Sequence, residues 1–323
     1  MATQRTDLRD ALRKFEPRLR RAFENAISAA ASGIDQRALV RLLEQGQIER
    51  AINLLRIDQA TLWPLHEAFR EAYVTGGTIG AGIAPRGLSG VFGFDGRHTR
   101  AEAWIQRHGA RLVQGITEES AETVRTVIRA GIEKGRSSTA VARDIRGRRM
   151  GKRWVGGSIG LDSPIAESII SGRAKLQSGD PALMRQYLGL KLRNQNHDKT
   201  IEKAIREGRT LSGPKIEQII GDHRAKALKH RSEKIARHEA RQALAAGREE
   251  GIQQLLDRPD VETVTKRWQW NLSTDPRERH RALNGTVIDH TERFDLGNGI
   301  TAAHPHEDGL PASETIGCNT PGN

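Results

Sequence analysis

Between Pro214 and Pro259 the chain holds no proline, and Ile216, Ile220, Leu228, Ile235, Leu244, Ile252 and Leu255 recur at helical spacing. Such a stripe buries one side of an α-helix. The stretch from Lys215 to about Leu256 therefore reads as one long helix, or two joined by a kink. Its other faces carry Arg224, Lys226, Lys229, Arg231, Lys234, Arg237 and Arg241, thinned only by Glu233 and Glu239. Six of these, Arg224, Lys226, Lys229, Arg231, Lys234 and Arg241, are the candidate contacts to nucleic-acid phosphates.

The chain before it repeats the same pattern in shorter pieces. Leu8, Leu12, Phe15, Leu19 and Phe23 share one face of a first helix reaching Ala31, with a break or kink expected at Pro17. Asp35 is placed to cap a second helix ending near Gly46, and Asp58 a third bearing Leu62, Leu65, Phe69 and Tyr73. The glycine-dense run from Gly76 to Gly96 lacks the lysine and serine or threonine of a phosphate-binding P-loop, and no clear strand precedes it. It reads as a flexible linker. Trp104, Ile105 and His108 then open a helical body, and Thr117 is placed to start a further helix with Val124, Val127, Ile128 and Ile132 inward. Arg146 to Gly157, RGRRMGKRWVGG, is a basic turn that either grips phosphates or is a solvated loop.

Past Pro259 the period changes from helical to alternating. Val264, Lys266, Trp268 and Trp270 alternate with polar residues, as in a strand. Thr286-Val-Ile288 is a second extended candidate, Asp295 to Gly299 a hairpin-like turn, and Ser313 to Ile316 a last strand. The expected architecture is mainly α: an extended helical body with a small C-terminal α+β unit. It divides into residues 1–95, helical and ending in the glycine-rich linker, 96–257 with the long basic helix, and 258–323.

Composition limits the partners. A hydrophobic fraction of 36% with 4% aromatics is lean for a single large globule. A formal charge of +12 favours polyanions or acidic protein surfaces. The lone Cys318 excludes an internal disulfide and any four-cysteine zinc site. The N-terminal cations are followed by no apolar segment of a secretory signal, and no apolar run nears the ~18 residues of a membrane span. The expectation is a soluble protein made in a reducing compartment.

Three ordered patterns stand out: Ile235-Ala-Arg237-His-Glu239-Ala, then Trp270…Asp275-x-Arg277-x-x-His280-x-x-Leu-Asn-Gly285 with a downstream Phe294, then Pro311-Ala-Ser-Glu314-Thr-Ile316-Gly-Cys318. Together they resemble the phage head morphogenesis family, the Mu-F-like minor head proteins of tailed phages and prophages. The family-motif residues are thus Arg237, Glu239, Trp270, Asp275, Arg277, His280, Gly285 and Cys318. His238 stands where the family has threonine, and the terminal Cys-x-Cys is reduced to a single cysteine. The resemblance implies a minor capsid component of the virion interior, acting in head assembly and in DNA packaging or delivery. It also implies assembly in the host cytoplasm, with the portal protein and the major capsid or scaffold protein as partners and non-specific contact with double-stranded DNA.

Asp275, His280, His304, His306 and Cys318 raise the question of a metal. Zinc needs four well-spaced nitrogen or sulfur ligands, and the only close pair is His304-Pro-His306. Asp275, Glu278 and His280 would point apart on one helical turn, a poor catalytic constellation. The expectation is a non-enzymatic protein without cofactor or membrane contact. Asp275 would cap a short helix, His280 would pack beneath Trp268 and Trp270, and Arg237 with Glu239 would form part of a buried Arg–Glu pairing between helix and tail. The competing readings are a non-phage DNA-binding protein and, behind it, a metal-dependent nuclease.

Overall fold

The computed structural model describes residues 2–55, 57, 59–85, 87–88, 92–269, 277–307 and 309–315. It is mainly α. The helices are α1 (Ala2–Gly33), α2 (Gln36–Glu44), α3 (Ile48–Asn53), α4 (Gln59–Ala81), α5 (Thr99–Glu133) and α6 (Ser138–Arg146). A short antiparallel hairpin, β1 (Arg148–Met150) and β2 (Arg153–Val155), separates these from α7 (Ser163–Gln177), α8 (Pro181–Leu188), α9 (Asp198–Arg206) and α10 (Gly213–Leu256). The tail holds β3 (Thr265–Arg267), α11 (Glu278–Ala282), β4 (Val287–Asp289), β5 (Phe294–Gly297), β6 (Ile300–Ala302) and α12 (Ala312–Thr315). β3 pairs antiparallel with β4, and β5 with β6.

Two compact units divide the chain, and neither is continuous in sequence. One comprises Met1–Arg20, Leu65–Ala110 and Lys234–Asn323; the other Arg21–Pro64 and Arg111–Glu233. The divisions fall inside α1, α4, α5 and α10.

The first unit depends on a close crossing of α4 and α10. A Cβ added at Gly76 would meet the Leu244 carbonyl oxygen at 2.3 Å, and one at Gly247 the Tyr73 carbonyl oxygen at 1.9 Å. Only glycine lets the two backbones approach this far. The expected linker is therefore corrected at its start: Gly76, Gly77 and Gly80 lie within α4, where they form the contact surface. Beside them Phe69, Tyr73, Trp104 and His108 stack, with Trp104 4.7 Å from Tyr73 and 4.9 Å from His108.

In the second unit an apolar cluster of Leu161, Ile169, Leu176, Met184, Tyr187, Ile201, Ile216, Ile219 and Ile220 joins α7 to α10. The aspartates before α2, α7 and α8 cap their helices as their positions require, Asp35 accepting from the amides of Arg37 and Ala38. Asp58 lies outside the described residues. Two expected breaks are absent. α1 runs through Pro17, whose missing bond frees the carbonyl of exposed Arg13 toward water, and α5 runs through Thr117. The Thr117 hydroxyl donates back to the Val113 carbonyl at 2.8 Å and so leaves the helix unbroken.

A pair of alanine substitutions separates the two kinds of helical glycine. Gly247→Ala should destabilise the protein by about 2 kcal/mol or more through overpacking. Gly115→Ala, where an added Cβ meets nothing within 4 Å, should stabilise it by about 0.5–1 kcal/mol. Urea unfolding of the two variants against wild type measures both, and equal effects would remove the crossing from its role.

Candidate functional site

The C-terminal segment forms its own small core. Strand alternation turns Lys266 inward from β3, and Trp268, just beyond it, is 1% exposed among Phe294, Leu296 and Ala302. The Trp268 indole donates to the His280 carbonyl at 3.0 Å, and its ring meets His280 and Phe294 edge-on at 5.4 and 5.1 Å. Gly285, at a φ of 88°, returns the chain so that its amide donates to the Trp268 carbonyl at 2.8 Å. Asn298 at φ 55°, between Gly297 and Gly299, makes the turn from β5 to β6.

Two of the three motif stretches meet in this core. His280, on α11, lies with Nε2 2.9 Å from the Glu314 carboxylate, and both side chains are almost wholly buried. A carboxylate accepts, so Nε2 carries the proton. Arg279 reaches the other Glu314 oxygen at 3.4 Å and donates to the Leu296 carbonyl. The residues around Glu314 were expected to form a strand; they form the helical turn α12 instead. The Glu314 amide bonds back to Pro311, and the turn presents the carboxylate to His280. Arg277 precedes α11 and makes no side-chain cap to it. Trp270, Asp275 and Cys318 lie outside the described residues, as does the expected Asp275 cap.

The α10 motif resolves into unlike halves. Arg237 is exposed, whereas Glu239 is buried with its carboxylate 2.7 Å from His108 Nε2 on α5. The expected arginine partner is thus replaced by a histidine, and the tie runs to α5 because His108 is held in the aromatic stack.

Further along α10, Glu249 has the His290 imidazole 3.1 Å away. Burial pushes its carboxyl up, but His290, His304 and Lys266 outweigh that and leave it below the ordinary range. Glu249, Tyr73, Arg100, Trp104, Glu250 and His304 border a cleft of about 620 Å³. Arg100 already bridges Glu250 and Asp257 there, and His304 Nδ1 donates to the Pro305 carbonyl at 2.9 Å. His306, at 6% exposure, has no hydrogen-bond partner among the described residues on either ring nitrogen. Burial, then Arg241, His238, His304 and His280, lower it to about 3.

The basic stripe expected along α10 is corrected. Arg224 is buried and gives Asp144 a hydrogen bond of 2.9 Å, beside Arg173 at 2.8 Å and Arg136 at 3.2 Å. Burial raises Asp144, but the guanidinium groups of Arg224, Arg173 and Arg136 together hold it below its usual range. Arg231 is buried and pairs with Glu119, and the Lys226 ammonium donates to the Arg193 carbonyl at 2.8 Å. Arg241 is half-buried 3.9 Å from Glu16. Of the six candidates, Lys229 and Lys234 remain exposed. Arg224, Arg231 and Arg241 turn toward carboxylates that distant segments supply, whereas Arg237 stays exposed.

Among the described residues no three histidine, cysteine, aspartate or glutamate side chains converge to hold a metal ion. No helix of the described residues is long and apolar enough to cross a membrane. Sequence reasoning missed His108, Glu249 and His290 as paired groups; only Glu314 carried a signal, its place in the Pro-Ala-Ser-Glu motif. Comparison with protein-family models, curated proteins and solved structures finds no match in any of the three.

His306 gives a testable pH dependence. Its folded pKa lies below the unfolded value of 6.5, so the unfolded chain takes up the proton first. The stabilisation is complete above the unfolded value and is lost as pH falls from there toward about 3. At pH 5 the loss should be about 2 kcal/mol. His306→Asn, which tolerates the left-handed backbone at φ 63°, should flatten the acid limb of a urea-midpoint profile. An unchanged limb would assign the acid sensitivity elsewhere.

Proposed function

We propose that this chain is a minor head protein of the phage head morphogenesis type, a non-enzymatic virion component that joins the portal vertex during head assembly. The observation that carries the reading is the His280–Glu314 pair. Two stretches that carry the resemblance, separated in sequence by the β5–β6 hairpin, meet in one buried bond over Trp268. The third stretch also places its glutamate in a buried pair, with His108. In this reading the motif residues build a scaffold: they hold the C-terminal segment in shape and leave its outer surface for the portal and the capsid or scaffold proteins. The positive charge suits a position beside packaged double-stranded DNA.

Co-expression with the portal protein of the same phage or prophage tests the proposal. The chain should co-purify with the portal ring after nuclease treatment, and should be found in heads rather than in tails. Glu314→Gln, which removes the charge beneath His280, should destabilise the C-terminal segment by about 1–3 kcal/mol and reduce incorporation into heads. A chain that ignores the portal and enters no head would sink the reading.

A further inference from the structure

With Arg224, Arg231 and Arg241 turned toward carboxylates, the basic segment between α6 and α7 carries charge of a different kind. β1 and β2 form a tight ribbon in which Arg149 faces Trp154 across the pair and Met150 faces Arg153. Gly151, at φ 59°, makes the turn. Because cross-strand partners share a face, Arg149 lies on one side of the ribbon and Arg153 on the other. Cations on both faces fit a slot walled by two rows of negative charge better than a flat acidic surface.

The stem is anchored while the tip is free. Arg146, entering the ribbon, stacks on Trp154 at 3.8 Å and donates to the Ala31 carbonyl at 2.8 Å. Arg148 pairs with Asp222 at 2.5 Å, and the Trp154 amide donates to the Ser28 hydroxyl at 3.0 Å. Gly156 passes so close to the Gly221 carbonyl that an added Cβ would lie 2.7 Å from it. Beyond these ties, Arg149 and Lys152 are exposed and neither has a carboxylate partner among the described residues; the Arg149 Nε donates to the Gly151 carbonyl. Met150, between them, is 57% exposed.

We infer that the 148–155 hairpin is a duplex-DNA contact whose tip enters a groove, with Arg149, Lys152 and Arg153 meeting phosphates and Met150 resting against sugars or base edges. A two-stranded ribbon is of the size the major groove admits. An anchored ribbon loses little conformational freedom on binding, so its cations act at low entropic cost. Arg153, 54% exposed, lies 3.1 Å from Asn25 and 4.0 Å from Glu24, and would exchange these two contacts for a phosphate.

The inference rests on the proposed function only in taking duplex DNA as the polyanion. The test is anisotropy of a labelled short duplex with the full chain, titrated across salt concentrations. Arg149→Glu combined with Lys152→Glu should weaken binding at least tenfold and lower the salt slope by about 2, since each phosphate contact contributes about 0.9. Met150→Ala should lower affinity while leaving the slope unchanged. The changed side chains are exposed, so thermal unfolding should match wild type. Unchanged duplex binding in the double variant would overturn the inference, as would an equal loss on single-stranded DNA or on polyglutamate. The assay contains no head protein. DNA binding through the hairpin in a chain that ignores the portal would sink the proposed function and keep this inference; portal binding with an inert hairpin would do the reverse.

Discussion

A carboxylate withdrawn from water must be met by a cation or by donors, and much of this protein's interior follows from that requirement. Asp144 is met by Arg136, Arg173 and Arg224, Glu239 by His108, and Glu314 by His280 and Arg279. Such pairs add little net stability over apolar residues of equal volume. Removing one partner, however, costs about 3–5 kcal/mol, because the other charge is left buried alone. Their partners come from distant parts of the chain: α10 with α6, α10 with α5, α12 with α11. Each pair therefore holds a particular helix face toward a particular neighbour. In a chain with few aromatics, charge pairing supplies directional contacts that a lean apolar core supplies less of.

Helices were legible because burial of one face leaves a periodic trace. α10, the aspartate-capped starts of α2, α7 and α8, and the alternation through Lys266 and Trp268 all follow from local pattern. What local pattern missed was mostly set by partners distant in sequence. Gly76 and Gly80 have the composition of a linker, yet they lie within a helix, packed against the backbone of Leu244 and Arg248 on α10. Thr117 has the chemistry of a cap, yet its hydroxyl bonds back along the helix. Ser313 to Thr315 has strand-like composition, but the proline before it and the buried His280 draw it into a helical turn.

The candidate site was legible to the same degree. The motif stretches drew attention to His280, Glu239 and Glu314, and the structure buries all of them. Their partners could not be read from spacing, because nothing local to Glu239 names His108. For the same reason Arg224 and Arg231 looked like surface charge. An arginine between apolar helix positions carries a long aliphatic stem that packs well, and its head group can turn inward wherever another element offers a carboxylate.

A hairpin tip leaves far less room for that ambiguity. Its residues extend beyond the elements that anchor the stem, so a cation there has few internal partners to choose from. Arg148, at the base of the ribbon, does find Asp222; Arg149 and Lys152, at the tip, find no carboxylate among the described residues. Moving along one strand by a single residue thus changes the role of an arginine from internal tie to available charge. Similar composition thus leads to different surroundings: α10 buries Arg224 and Arg231 against carboxylates, whereas the ribbon leaves Arg149 and Lys152 exposed. Formal charge counted along a sequence ranks segments by how many cations they hold; the structure ranks them by how many remain unanswered.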